Sequence, residues 1–275
     1  MKKHLPTLFK YLSVFAPKFA AKLALNLFAT PERIPRPESE MDNFALSKKF
    51  KLSNGAQAFG WGNENHPIVL LIHGWNGRGT QMSFCQEALV KKGFQVIALD
   101  GPAHGDSPGK KTNPMAYAQF ILKAQQELAP QGLAGLIAHS FGGGSSSLAV
   151  KLGLKSKALI LVASPNKYSL VVEDYLNLLQ LSPRARTYFL TFIQQITGLR
   201  PEEMTTADLL RKSNTPLMVI HDTSDKSVPY VRAQEIHEAI KGSILVTTEN
   251  LGHRRILKSH DVINQMANFI YQANR

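Results

Sequence analysis

Five residues of this chain have the types and the spacing to attack a carbonyl carbon. Ser140 stands in "GLIAHSFGGG", Asp225 in "HDTSDKSVP" and His253 in "ENLGHRRIL", while Trp75 and Phe141 follow the short turns "HG" and "HS". A serine hydroxyl becomes a useful nucleophile when three things surround it: a base to take its proton, a carboxylate to orient that base, and backbone donors for the oxyanion. His253 is read as the base, Asp225 as the carboxylate, and the N–H groups of Trp75 and Phe141 as the donors. Asp222, in the same stretch, is the second choice for the carboxylate.

Ser140 closes an apolar run and opens a helix-like segment, with Ala138 and Gly142 two residues to either side. A serine projecting from a sharp strand-to-helix turn needs small neighbours there. Alone, this pattern is weak, because a chain of this length contains a match by chance about one time in five. Ser145, Ser146 and Ser147 offer competing hydroxyls close by. His73 is read as holding its loop by hydrogen bonds, and His104, His139, His221 and His260 as packing or hydrogen-bonding residues. None has zinc-ligand spacing, so the reading implies no metal and no cofactor.

The elements that must position these residues follow from the apolar pattern. Around Asn54-Gly55, half-alternating runs predict a two-stranded hairpin with a tight turn. Six short runs follow: "PIVLLIHG", "FQVIALD", "LAGLIAHS", "ALILVAS", "PLMVIHD" and "SILVTTEN". Runs without polar alternation suit strands buried on both faces, hence an α/β fold with a mainly parallel sheet of about eight strands and helices on both faces. Open sheets of this kind put their ligand crevice at the carboxyl ends of the strands, where all the candidate residues fall.

Between the fourth and fifth of those runs lies a stretch too long for one crossover. It holds three helix-like pieces, with Ser182-Pro183 and Arg200-Pro201 as starts. These predict a helical cap over residues 165–214, inserted into a core of residues 41–164 and 215–275, with residues 1–40 as a basic amphipathic helix and connector.

In order along the chain, "HGW", "DGPAHGDSPG", "AHSFGG", "HDTSDKSVP" and "LGH" resemble the oxyanion loop, turn motif, nucleophile elbow, acid loop and histidine of the α/β-hydrolase family. The resemblance runs from about Phe44 to the end of the chain, and is strongest to the carboxylesterase, monoglyceride lipase and serine aminopeptidase group. It implies the α/β-hydrolase fold and a serine hydrolase acting on a small-molecule ester or other acyl compound, with Ser140, Asp225 and His253 as a catalytic triad. Ala138, Ala103 and Asp222 stand where many members have glycine. Two other outcomes remain open: an acyltransferase on the same triad, and a ligand-binding protein without turnover.

The single cysteine, Cys85, permits no internal disulfide and points to a reducing, cytoplasmic setting. It falls in an expected helix, "TQMSFCQEALVKKG", as a buried core residue. Lys and Arg number 32 against 20 Asp and Glu, a formal charge of +12. No nucleic-acid motif accompanies that charge. It is concentrated at the start, where Lys2, Lys3, Lys10, Lys18 and Lys22 precede the first acidic residue, Glu32. Apolar residues from Leu5 to Leu27 recur there at helical spacing, with Pro17 as a kink. Packing on the main domain or a partner subunit is the first reading of this helix, peripheral contact with an anionic membrane the second, and a signal peptide the third.

In the cap, Tyr175, Leu178, Leu179, Tyr188, Phe189 and Phe192 are read first as the cap's own core and second as an acyl pocket. An aminopeptidase would need carboxylates by the pocket, for which Glu173, Asp174, Glu202 and Glu203 are the candidates.

Overall fold

The apolar runs become one eight-stranded sheet in the computed structural model, which describes residues 4–275. The hairpin gives β1 (Lys48–Lys51) and β2 (Gln57–Trp61). The six runs give β3 (Ile68–Ile72), β4 (Gln95–Leu99), β5 (Gly135–His139), β6 (Leu159–Val162), β7 (Leu217–Asp222) and β8 (Ile244–Thr248). Strand order is β1-β2-β4-β3-β5-β6-β7-β8. Strand β2 is antiparallel to both β1 and β4, and every other pairing is parallel. Strands β4 to β7 are buried along their whole length, as unalternated apolar runs require.

Two cores lie on the two faces of the sheet. One packs α5 (Pro114–Leu128), α6 (Phe141–Lys151), α9 (Thr206–Leu210) and α10 (Val231–Ala239) through side chains such as Ile121, Leu148, Leu210 and Ile236. The other packs α4 (Gln86–Lys91) and α12 (His260–Ala273) through Leu89, Met266 and Ile270. Cys85 sits in this second core, its thiol pushed up to about 12 by burial. It ends a 3₁₀ segment, Gly79–Cys85, and the α-helix starts only at Gln86, later than the sequence suggests.

A third core lies apart from the sheet. Helices α1 (Leu5–Phe15) and α2 (Pro17–Phe28) pack on α7 (Tyr168–Leu178) and α8 (Pro183–Thr197), the two long helices between β6 and β7. The chain breaks at Ala16 (φ −134°, ψ 64°), because Pro17 can neither donate a hydrogen bond nor tolerate a helical residue before it. Ala20, Ala21 and Ala24 present small side chains that let α2 lie close on α8. Tyr175 donates to the Ala24 carbonyl at 2.8 Å, and Ser182 at the start of α8 is hydrogen-bonded to both Oγ and the carbonyl of Ser13. Lys2 and Lys3 of the basic stretch lie outside the described residues.

Apolar residues of α1 and α2 do not form the single face that their spacing suggests. Phe9 and the three alanines are buried, but Leu8, Tyr11, Val14, Phe15, Phe19 and Leu27 are exposed. The connector after α2, which leads into α3 (Met41–Leu46), is pinned rather than loose. Arg33 donates to the carbonyls of Gly105, Ser107 and Gly109, and Arg78 makes a buried two-pronged pair with Glu40 at 2.8 Å for each bond.

Candidate active site

Strand β5 hands over to helix α6 at Ser140, which takes φ 53° and ψ −124°. A serine with a Cβ visits this region only where its surroundings fix it. Here its N–H donates to the Val162 carbonyl at 2.9 Å and its carbonyl accepts from Gly143 at 2.8 Å. Gly142 is required by close approach: a Cβ there would lie 2.4 Å from the carbonyl oxygen of His73. Gly144 leaves room for the ring of Tyr168, which a Cβ would approach to 2.6 Å.

The loop after β8 carries His253 at the start of α11 (Gly252–Arg255), and the loop after β7 carries Asp225. His253 Nε2 lies 3.0 Å from Ser140 Oγ, and His253 Nδ1 lies 2.7 Å from Asp225 Oδ2. An ionised carboxylate only accepts, so Nδ1 carries the ring proton and Nε2 is free to accept from the serine. Asp225 is buried, and burial alone would raise its carboxyl. The His221 ring nitrogen close by, with hydrogen bonds from His253 and the Val228 N–H, outweighs this and holds it well below the usual carboxylate range.

Asp222, the second choice for the acid, faces elsewhere. Its Oδ1 accepts from the Ser224 N–H and hydroxyl, and its Oδ2 accepts from Thr248 and from the Leu251 N–H. It ties the acid loop to the histidine loop. His221 donates from Nε2 to the Val228 carbonyl at 2.9 Å and lies 3.4 Å from Asp225 Oδ2.

One candidate donor, Trp75, approaches the serine from the loop after β3, and the other, Phe141, follows it at the start of α6. A Cβ on Gly74 would sit 2.9 Å from Ser140 Cβ, so the backbone leading into Trp75 passes directly beside Ser140. The Trp75 N–H meets no backbone acceptor among the described residues, and the N–H of Phe141, first residue of α6, has no partner within the helix. The rings of Trp75 and Phe141 meet edge to face at 5.1 Å. His73 fixes this loop, donating from Nδ1 to the Gly74 carbonyl at 2.7 Å and accepting from the Gly101 N–H at 2.9 Å.

Ser140, His253, Trp75 and Phe141 line one end of a cavity of about 430 Å³. Its walls come from Val171, Val172 and Tyr175 of α7, Ile193 and Ile196 of α8, and Leu25, Leu27 and Phe28 of α2. Among the described residues, no Asp, Glu, Lys or Arg lines it, so Glu173, Asp174, Glu202 and Glu203 all stand outside. Of the six cap residues singled out in the sequence, only Tyr175 lines the cavity. Leu179 and Phe189 are in the third core, Tyr188 and Phe192 stack on each other, and Leu178 is exposed. Ser145, Ser146 and Ser147 are buried inside α6 and do not reach it.

Sequence reasoning missed the wall supplied by α2, because its contact with the cap is between segments far apart in the chain. The alanine spacing of Ala20, Ala21 and Ala24 was the one local signal of a close helix contact.

The family described as alpha/beta hydrolase fold matches residues 67–215, and one described as TAP-like protein matches residues 198–274. The first match spans more than half of the chain, which belongs to the α/β-hydrolase family. No curated protein matches it in sequence. Among solved structures, a carboxylesterase of the ammonia-oxidizing thaumarchaeon Nitrososphaera gargenis is similar at TM-score 0.64 and 16% identity, covering 82% of this chain and 98% of that one. An esterase from Exiguobacterium antarcticum matches at TM-score 0.60 and 17% identity, covering 81% of this chain and 98% of that chain. A meta-cleavage product hydrolase from Pseudomonas fluorescens IP01 matches at TM-score 0.61 and 18% identity, covering 84% and 100% respectively. At these identities the likeness is one of fold.

Proposed function

We propose that this protein is a serine hydrolase that cleaves a carboxylic ester, thioester or amide with an apolar acyl group. The observation that carries the reading is the pair of hydrogen bonds running from Asp225 through His253 to Ser140, at 2.7 and 3.0 Å, at one end of an apolar cavity. Ser140 Oγ attacks the acyl carbon while its proton passes to His253 Nε2. The N–H groups of Trp75 and Phe141 receive the charge that develops on the carbonyl oxygen. Collapse of this adduct expels the leaving group, which takes the proton from His253 and leaves the acyl group on Ser140. Water then attacks the acyl carbon, giving its proton to His253, and the acid departs as Ser140 regains the proton. Asp225 stays ionised throughout and holds the tautomer that makes Nε2 the acceptor.

An apolar acyl group suits a cavity whose described lining carries no Asp, Glu, Lys or Arg. A free amino group at the cleaved end finds no carboxylate partner in that lining, so an ester or thioester is favoured over an aminopeptidase substrate. The test is turnover of a p-nitrophenyl ester series from acetate to dodecanoate by the full chain and by Ser140→Ala. Release of free acid that rises beyond acetate and vanishes in the variant is expected. Equal rates for both proteins would remove the mechanism.

A further inference from the structure

We propose that the outer face of α1 and α2 docks on an anionic lipid surface and brings the mouth of the cavity to it. Leu8, Tyr11 and Phe15 stand at i, i+3 and i+7 on α1, all exposed, on the side opposite buried Phe9 and Ser13. On α2, exposed Phe19 and Leu27 continue the stripe at i and i+8, with half-buried Leu23 between them at i+4 packing against the third core. Phe15 is 84% exposed and Phe19 61%, a large apolar commitment to solvent on either side of the break at Ala16. The stripe ends at Leu27, which is both exposed and part of the cavity wall, and exposed Val171 and Ile196 belong to that same wall. The apolar surface is therefore continuous with the site.

Charge selects the occupant. Lys10 lies one turn before exposed Val14 at the far edge of the exposed side of α1, and Lys18 and Lys22 form a basic row, one turn apart, along the exposed side of α2. No acidic residue occurs before Glu32. Large apolar side chains flanked by lysines on a surface helix match the headgroup region of an anionic bilayer, where the lysine stems can spread outward and the rings enter the acyl boundary. For the substrate, the proposal rests on the hydrolase reading above: an amphiphile with an acyl chain leaves the bilayer along Leu27 and meets Ser140 inside.

The experiment is co-sedimentation of the full-length Ser140→Ala protein with phosphatidylcholine vesicles, with and without phosphatidylglycerol, so that binding is read without turnover. Binding to the anionic vesicles is expected, about tenfold or more above neutral ones and weakened by salt. Phe15→Ser with Phe19→Ser should lower partitioning about tenfold at an unchanged melting temperature, and Lys10, Lys18 and Lys22 changed together to Gln about a hundredfold. Failure to bind either vesicle, equal binding to both, or a solution dimer abolished by the Phe15→Ser and Phe19→Ser pair would overturn the proposal. Cleavage of soluble esters by the wild type without vesicle binding overturns the docking alone. Vesicle binding without ester cleavage supports the docking and overturns the hydrolase reading.

Discussion

The ring of His139 donates from Nε2 to the main-chain carbonyl of His253 at 2.8 Å, so the residue before Ser140 holds the loop that carries His253. Its Nδ1 is buried without a partner among the described residues. Burial, then the nearby ring of His253, pushes His139 down to about 3, which keeps it neutral at physiological pH. It acts as a positioning residue. His139→Phe should lower kcat by on the order of tenfold to a hundredfold with little change in KM, since small displacements of a catalytic group cost that much. His139→Gln can still donate to the carbonyl and should recover part of the loss. Equal kcat in wild type and His139→Phe would remove this role.

Substitutions at the relay itself should be far more severe. Ser140→Ala and His253→Ala are expected to lower kcat on the order of 10⁶-fold, and Asp225→Asn about 10⁴-fold, because the three act as a unit. Asp222→Asn should act differently, costing stability through the two loops it ties together while leaving a measurable fraction of kcat. Steady-state kinetics beside thermal melts separates the two aspartates.

Stability should fall with acid in two windows. His73, His104 and His139 are buried, and burial pushes all three down, His104 to about 4 and His139 to about 3. The unfolded chain binds those protons first, so their contribution is complete above about pH 6.5 and is lost as pH falls toward the folded values, at about 1.4 kcal/mol per pH unit per group. Asp222 is also held low, but by a different cause: burial opposes ionisation, and donors from Ser224, Gly252, Thr248 and Leu251 outweigh it. Its stabilisation, like that of Asp225, is present above about pH 3.9 and lost below it. Chemical denaturation from pH 7 to 4 should show the first slope, partly offset by Asp100, whose buried carboxyl is pushed up to about 6, and flattened in His104→Gln. An unchanged slope in that variant would contradict it.

Cavity shape should set acyl length. Val172 is buried and lines the cavity wall on α7. Val172→Trp fills that space and should lower kcat/KM for a dodecanoate ester by about tenfold or more while sparing the acetate ester. Parallel losses on both esters would show that the acyl chain lies elsewhere.

Gly142→Ala should fail at the elbow. The added methyl would meet the His73 carbonyl at 2.4 Å, a backbone atom that cannot turn aside. Loss of activity with a lowered melting temperature is expected, against retention of both if the turn can widen.

Much of this was legible in the sequence. The unalternated runs from Ile68 to Asp222 specified strands buried on both faces, whereas β8, at the sheet edge, carries the same pattern but is only half-covered, and Asn54-Gly55 specified the hairpin, with Gly55 at φ 80°. Ser140 could be picked out because a sharp turn demands small residues at fixed positions, and Asp225 over Asp222 because it lies beyond the strand end, where a side chain can reach across. Less legible was everything set by contacts between distant segments. The wall made by Leu25, Leu27 and Phe28 exists only because α2 lies on α8. The bond from His139 to the His253 carbonyl joins residues 114 apart in the chain and leaves no local signature. Apolar periodicity from Leu5 to Leu27 suggested one helix kinked at Pro17, where the chain forms two, and it did not reveal their orientation, since large apolar residues occur on both the buried and the exposed sides.

The central claim is that His253 activates Ser140, and covalent labelling with a fluorophosphonate followed by peptide mass analysis tests it most directly. The wild-type protein should be modified rapidly, with one label per chain on Ser140, and His253→Ala should not be labelled on the same timescale. Modification at Ser145, Ser146 or Ser147, or labelling of Ser140 at the same rate without His253, would contradict the account.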